Sequence, residues 1–137
     1  MDDCEYVFNN EEIVSLCFEW QRELRLQHWE IAVKIARECE FETKNAQGEC
    51  RWTLSTAQAT IKIIDSVDYP SSPFKQDMEK TLVHELLHLH FASFDETKNG
   101  SLEEVMLERC IDHISKALVN LKRKAAFNVK TQAVIGL

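Results

Sequence analysis

One short segment, residues 82–90, constrains the fold more than any other part of the chain. It reads LVHELLHLH, and leucine or valine fills five of its nine positions. On a helix, these apolar residues fall on nearly all sides, which is typical of a buried helix rather than a surface one. The fold must therefore place this segment centrally and cover it with other elements.

The same segment carries a pattern of metal-binding residues. His84, Glu85 and His88 form the string HExxH. Residues four apart share a helix face, so both imidazoles can reach one Zn²⁺ at Zn–N distances of about 2 Å. Glu85 follows the first histidine and can accept a proton from metal-activated water. The alternative is two hydrogen-bonded core histidines and a surface glutamate, although burying such groups without partners is costly.

A catalytic zinc site needs a third protein ligand and an open fourth position. Eight side chains further along have suitable chemistry: His90, Asp95, Glu96, Glu103, Glu104, Glu108, Asp112 and His113. Helix geometry disfavours His90, which lies two residues past His88, and the loop acids Asp95 and Glu96 lie too close to the helix. Glu104 fits a helix cap.

Two of the remaining acids share one face of the last helix. Glu108 can bind metal while Asp112, one turn later, supports a ligand histidine from outside the coordination sphere. The alternative is that both are solvated acids on an outer helix face.

The order of elements predicts an α+β fold in a single domain, residues 1–137, because the strands and helices are segregated. An amphipathic helix is predicted over 10–26, with Asn10 as its N-cap. Alternating apolar residues predict three strands over 29–36, 50–54 and 57–64, and Asn45 to Gly48 read as a turn.

Two further helices complete the expected fold. The first runs from Phe74 to about Phe94 and carries the HExxH string, with Ser71, Ser72 and Pro73 at its start. The second begins at Ser101, where Glu104 completes a capping-box pattern. The tail over 128–137 has no clear pattern.

Charge and cysteine content bound the partners and the compartment. The net charge is −7, which argues against nucleic-acid binding. The odd number of widely spaced cysteines fits neither a disulfide framework nor a cysteine zinc site. The acidic N-terminus does not resemble a secretory signal and no apolar run approaches a membrane span, so we expect a cytoplasmic protein without membrane or nucleic-acid partners.

The basic residues are concentrated in the last part of the chain. Five cations and no acid follow Asp112: Lys116, Lys122, Arg123, Lys124 and Lys130. Cations near a helix C-terminus interact favourably with the helix dipole. A basic docking patch is the alternative interpretation.

The motif and the segment ERCID at 108–112 together resemble the gluzincin zinc peptidases, the thermolysin-like clan. That family carries HExxH, then a glutamate ligand on a following helix, and an aspartate four residues later. Here Glu108 follows His88 by 20 positions and Asp112 follows Glu108 by four. Leu107 departs from the pattern, because thermolysin-like enzymes carry Asn before the ligand glutamate. The chain is short and looks like the minimal-scaffold metallopeptidases of prokaryotes and phages.

The resemblance implies a zincin-like domain with a small, mostly antiparallel three-stranded sheet. It implies Zn²⁺ held by His84, His88 and Glu108, with Asp112 in support and Glu85 as general base in peptide hydrolysis. It also implies that the strand over 57–64 is the edge strand above the cleft. The metzincin pattern is not met, since Phe91 and Phe94 replace its glycine and third histidine. SprT-type proteases usually carry a further downstream histidine, for which His113 is a weak match.

The expected partner is therefore a peptide or protein substrate. Candidates for stabilising the oxyanion are His90, Arg109, His113 and Tyr69, and nothing in the sequence ranks them. Two other hypotheses remain open. One is a zinc-binding domain without turnover that acts as a regulatory or protein-binding module, and the other is a metal-free helical interaction domain.

Overall fold

A three-stranded sheet with three helices forms the framework of the protein. The computed structural model describes residues 6–134 and shows a single α+β domain, which confirms the expected fold class. The elements are α1 (Asn10–Glu23), β1 (Glu30–Ala36), β2 (Gly48–Thr53), β3 (Gln58–Ile64), α2 (Met78–Phe91) and α3 (Leu102–Val134).

The sheet is mixed, and its order is β1-β3-β2. β3 pairs parallel with β1, with Ile31 opposite Ala59, and antiparallel with β2, with Cys50 opposite Ile61. The expectation of a mostly antiparallel sheet is therefore wrong. The reason is the strand order. β2 forms at the far edge of the sheet rather than next to β1, and β3 then fills the position between them, parallel to β1 and antiparallel to β2. Side-chain alternation is the same in both kinds of pairing and could not predict this.

One face of the sheet packs against α1 and α2, and the other carries polar side chains. Ile61 and Ile63 on β3 are fully buried, whereas the alternate residue Thr60 is exposed. Such alternation is typical of a sheet with one covered face. α1 adds Ile13 and Trp20 to this core. The sheet thereby provides a floor for α2, the helix with the HExxH string.

The first helix begins with a capping box one residue earlier than expected. Asn9, not Asn10, is the N-cap, because its Oδ1 accepts a hydrogen bond from the Glu12 backbone at 2.9 Å. The Glu12 carboxylate accepts one in return from the Asn9 backbone at 3.0 Å. Reciprocal bonds of this kind satisfy two otherwise free donors at a helix start.

The second helix begins later than the sequence predicted. Its N-cap is Asp77, whose carboxylate accepts a hydrogen bond from the Lys80 backbone at 3.1 Å. The predicted start at Ser71 to Pro73 is wrong, because residues 69–76 form a loop. Asp and Ser are equally good N-cap residues. Asp77 also forms an ion pair with a cation of α3.

That cation belongs to a network of charges between α2 and α3. Arg123 donates to both Asp77 oxygens, at 2.7 and 3.0 Å. Glu79, which is 5% exposed, accepts from Trp20 Nε1 at 2.8 Å and from Lys122 Nζ at 2.5 Å. Two of the five C-terminal cations thus balance acids at the start of α2, which fixes α3 against that helix.

The last helix is 33 residues long and packs against α2. It begins after Ser101 as predicted, and the Ser101 hydroxyl accepts from the Glu104 backbone at 3.2 Å. Glu104 in turn accepts from the Gly100 backbone rather than from Ser101. Residues 128–134 of the tail continue the helix, and 135–137 lie outside the described residues.

None of the helices in the described part of the chain combines the length and hydrophobicity of a membrane span. The four cysteines within it, Cys17, Cys39, Cys50 and Cys110, are free thiols. Cys4 lies outside the described residues.

Candidate metal centre and cleft

The two histidines of HExxH lie on a side of α2 that the hydrophobic core does not cover. Leu82, Val83 and Leu86 are fully buried, whereas His84 and His88 face a cleft and keep 16% and 13% of their side-chain surface exposed. Their ring centroids are 5.2 Å apart, as expected for residues one helical turn apart. The apolar positions bury the helix, and this burial directs both imidazoles toward the cleft.

Glu108 joins the two histidines from the facing side of α3. Its two carboxylate oxygens lie 2.9 Å from His84 Nε2 and 2.8 Å from His88 Nε2. Hydrogen bonds from His84 and then His88 hold the pKa of Glu108 well below its usual value. The sequence and its gluzincin resemblance favoured Glu108 over the other acids as the third ligand, and the structure brings its carboxylate to both histidines.

The three side chains fit the requirements of a zinc ion. Their ligand atoms all lie within 4.8 Å of one another, and no other group of three His, Cys, Asp or Glu in residues 6–134 does the same. Ligand atoms about 2 Å from a tetrahedral zinc are separated by roughly 3.3 Å. Small rotations of the three side chains would therefore satisfy this geometry. Two imidazoles and one carboxylate also match a known type of catalytic zinc ligand set.

Asp112 and Lys116 lie behind His84. Asp112 Oδ1 is 3.6 Å from His84 Nδ1, and its other oxygen accepts from Lys116 Nζ at 2.7 Å. Burial lowers the pKa of His84, but the hydrogen bond that its ring donates to Glu108 and the charges of Glu85, Glu108 and Asp112 outweigh this effect, so the pKa is raised. A carboxylate on the far ring nitrogen orients a ligand histidine with Nε2 toward the metal.

Glu85 is buried beside His84 and His88. It is 7% exposed, and burial raises the pKa of its carboxyl to about 7 although the charges of His84 and His88 oppose this rise. A carboxyl group whose pKa lies near neutrality can both accept and return a proton at physiological pH. The position and the environment of Glu85 therefore suit a general base.

Gly48, at the start of β2, lets the strand approach the carboxylate of Glu85. A Cβ at this position would lie 2.6 Å from Thr81 Cγ2 and 3.0 Å from Glu85 Oε1. Contacts this short force a displacement of β2, of α2 or of the Glu85 side chain. The sequence interpretation of Gly48 as a turn residue is wrong, because it pairs with Ile63 in the sheet and Asn45 has the left-handed conformation instead.

We expect Gly48→Ala to destabilise the protein by about 1–3 kcal/mol, the usual cost of overpacking a filled site. The free energy of unfolding is measured by urea denaturation, with circular dichroism as the signal. Adding Thr81→Ser to the same chain removes the methyl group nearest to the new Cβ. The serine keeps a hydroxyl that can donate to the Asp77 backbone carbonyl, as Thr81 Oγ1 does at 3.2 Å.

The double variant is expected to recover part of the lost stability, since the two sites are in contact and must couple. Equal losses for Gly48→Ala with and without Thr81→Ser would contradict the contact with Thr81.

Trp52 forms the wall of the cleft next to His88. The two rings stack with their centroids 6.4 Å apart and their planes at 21°, and Trp52 packs against the core cluster. No motif in the sequence assigned Trp52 to the site. Trp52 lies two residues after Cys50 and therefore on the same face of the sheet. Nothing in the sequence showed that β2 borders α2 at His88.

The cleft has a volume of about 1540 Å³ and runs between β2, the loop before α2, and α3. Residues 46–52 line it, and they include most of β2. The edge strand beside the metal centre is therefore β2. The expectation that the strand over 57–64 would be this edge is wrong, because β3 is the central strand of the sheet.

The structure places the other candidates for the third ligand outside the group of two histidines and Glu108. Asp95 and Glu104 line the cleft, but outside the ligand group. His90 donates from Nε2 to the Leu24 carbonyl at 2.7 Å and so contacts the end of α1. The remaining candidates for the third ligand are exposed and do not line the cleft: Glu96, Glu103 and His113.

Tyr69 is the one proposed oxyanion donor that lines the cleft. Its hydroxyl donates to the Phe74 carbonyl at 3.1 Å within the loop before α2. Arg109, His90 and His113 are not cleft residues. Of the four candidates, Tyr69 is thus the one that remains. Its hydroxyl would have to release the Phe74 carbonyl before it could donate to an oxyanion.

Comparison of the chain with protein-family models, with curated proteins and with solved structures finds no match. The residues of the cleft and their geometry are therefore the basis for inferring a function for this protein.

Proposed function

We propose that the protein is a zinc-dependent peptidase of minimal gluzincin type. The observation that carries this proposal is the convergence of His84, His88 and Glu108, whose ligand atoms lie within 4.8 Å of one another beside a buried glutamate. Zinc is the metal we propose because two imidazoles and a carboxylate with a free fourth position form a typical catalytic zinc set.

The roles of the side chains follow from their positions. Zinc, when bound, would supply a water with a pKa near 7 and polarise the scissile carbonyl. Glu85 is the residue that would accept a proton from such a water and would return it to the leaving amine. Asp112, held by Lys116, orients His84, and Trp52 limits rotation of the His88 ring.

A peptide is the substrate class that suits the cleft best. β2 is an edge strand along it, and an edge strand offers unpaired backbone groups to an extended chain. Tyr69 is the proposed hydrogen-bond donor to the oxyanion. We also propose a cytoplasmic, reducing location, which the free thiols of the exposed Cys39 and Cys110 support.

The test combines metal content with cleavage. Purified protein is stripped with chelator, reconstituted with Zn²⁺, and analysed for metal per chain and for cleavage of a peptide library by mass spectrometry. We expect about one zinc per chain and cleavage that chelator abolishes and zinc restores. Zinc binding without any cleavage would support the silent zinc module instead, and no metal binding would contradict both readings.

A further inference from the structure

The outer face of α3 carries an apolar stripe that none of the described elements covers. Its members recur every three or four residues, and all are exposed: Met106, Cys110, Ile114, Ala117 and Leu121. This spacing makes one continuous face of a helix. Ile111, Ser115 and Val119, which are buried against the rest of the domain, lie on roughly the opposite face.

Charged residues of opposite sign end the stripe. Glu103 precedes it and Lys124 follows it on the same side of the helix. Both are exposed, and within residues 6–134 neither forms an ion pair. The other cations near the stripe's C-terminal half, such as Lys122, already have acidic partners.

The stripe is complementary to itself in one orientation only. Glu103 and Lys124 are 21 positions apart, or about 32 Å along a helix, and Ile114 lies next to the midpoint between them. When two copies pair antiparallel with Glu103 opposite Lys124, Met106 falls opposite Leu121. The same alignment sets the small residues Cys110 and Ala117 opposite each other and brings the two Ile114 side chains together. Parallel pairing would instead place like charges together.

We propose that two copies of this chain associate through an antiparallel pairing of their α3 helices along this stripe. A two-fold interface of this kind is self-complementary, as symmetric dimers require, and helices packed along three-four spacing approach closely. Glu108 and Asp112 project from the side of α3 that faces α2. The dimer therefore leaves both clefts open, and its existence does not depend on the proposed activity.

Sedimentation equilibrium over about 1–100 µM protein tests the pairing, with chelator and with zinc. We expect a dimer in both conditions. Ile114→Glu should weaken it by at least about a hundredfold, because two carboxylates would meet at the centre of the interface. The matched control is Val14→Glu, which places the same charge on an exposed apolar position of α1 and should leave the dimer unchanged.

Charge exchange tests the orientation. Glu103→Lys and Lys124→Glu alone should each weaken the dimer by about tenfold, since two symmetric ion pairs become like-charge contacts. The two substitutions together should restore it. A monomeric wild type, or a dimer that survives Ile114→Glu, overturns the proposal. Single charge variants that pair like the wild type, or a double variant that does not recover, overturn the antiparallel alignment.

Discussion

Glu85→Gln is expected to lower peptide hydrolysis by about 10²–10⁴-fold, the range associated with loss of a general acid–base group. Glutamine keeps the size of the side chain but cannot accept the proton at the pH of the reaction. Because Glu85 is not among the three ligands, zinc content should remain at the wild-type level. The measurement is kcat/KM on a peptide that the wild type cleaves, with metal analysis of the same samples.

The matched control is Glu104→Gln, which changes another glutamate that lines the cleft but lies outside the ligand group. It should leave turnover within a few-fold of the wild type. Glu85→Gln should not unfold the metal-free chain, because burial raises the pKa of Glu85 to about 7. The folded chain therefore loses stability as the pH rises from the usual pKa of a glutamate toward about 7, and the neutral glutamine removes the full cost at pH 8. Full activity in Glu85→Gln would contradict its role as the base.

Glu108→Ala is expected to reduce zinc affinity most among the acids of the cleft. The substitution removes the one carboxylate that contacts both histidines, so only two ligands remain. The loss should exceed that of Asp112→Ala, for which about 10–100-fold is expected because Asp112 acts only through His84. Competition with a chromophoric chelator gives both affinities.

Glu104→Ala provides the control for this comparison, since it removes a cleft carboxylate without touching the ligand group. It should retain the wild-type affinity. If Glu108→Ala and Glu104→Ala bind zinc equally well, Glu108 is not the third ligand. If Asp112→Ala has the larger effect, the two acids have exchanged the roles assigned to them.

The arrangement of residues within each helix of the candidate site could be predicted because it depends on local periodicity. An i, i+4 pair within a buried helix fixes the relation of His84 to His88, and the same spacing relates Glu108 to Asp112. Periodicity alone did not decide which acid meets the histidines, because this depends on how α3 crosses α2, and the gluzincin resemblance was what favoured Glu108. That crossing is held by Arg123 and Lys122, which the sequence showed only as an excess of positive charge.

The walls of the cleft were less predictable for a different reason. Alternation predicted the strands that carry Trp52 and Ile61, but alternation contains no information about strand order or direction. The assignment of β3 to the edge came from the gluzincin resemblance, and alternation offered nothing that could correct it. Gly48 was misread because a glycine after Asn45 is typical of a turn, and only the tertiary approach of α2 explains why a side chain does not fit there.

The strand order also has a consequence for how the chain folds. β2 and β3 are joined by a short turn and can form early as a hairpin, whereas β1 must close a loop of more than 20 residues to reach β3. Contacts between distant parts of a chain form late, because the loop entropy is lost before they contribute. We therefore expect substitutions in the hairpin, such as Ile61→Val, to slow refolding, and those in β1, such as Val33→Ala, mainly to speed unfolding.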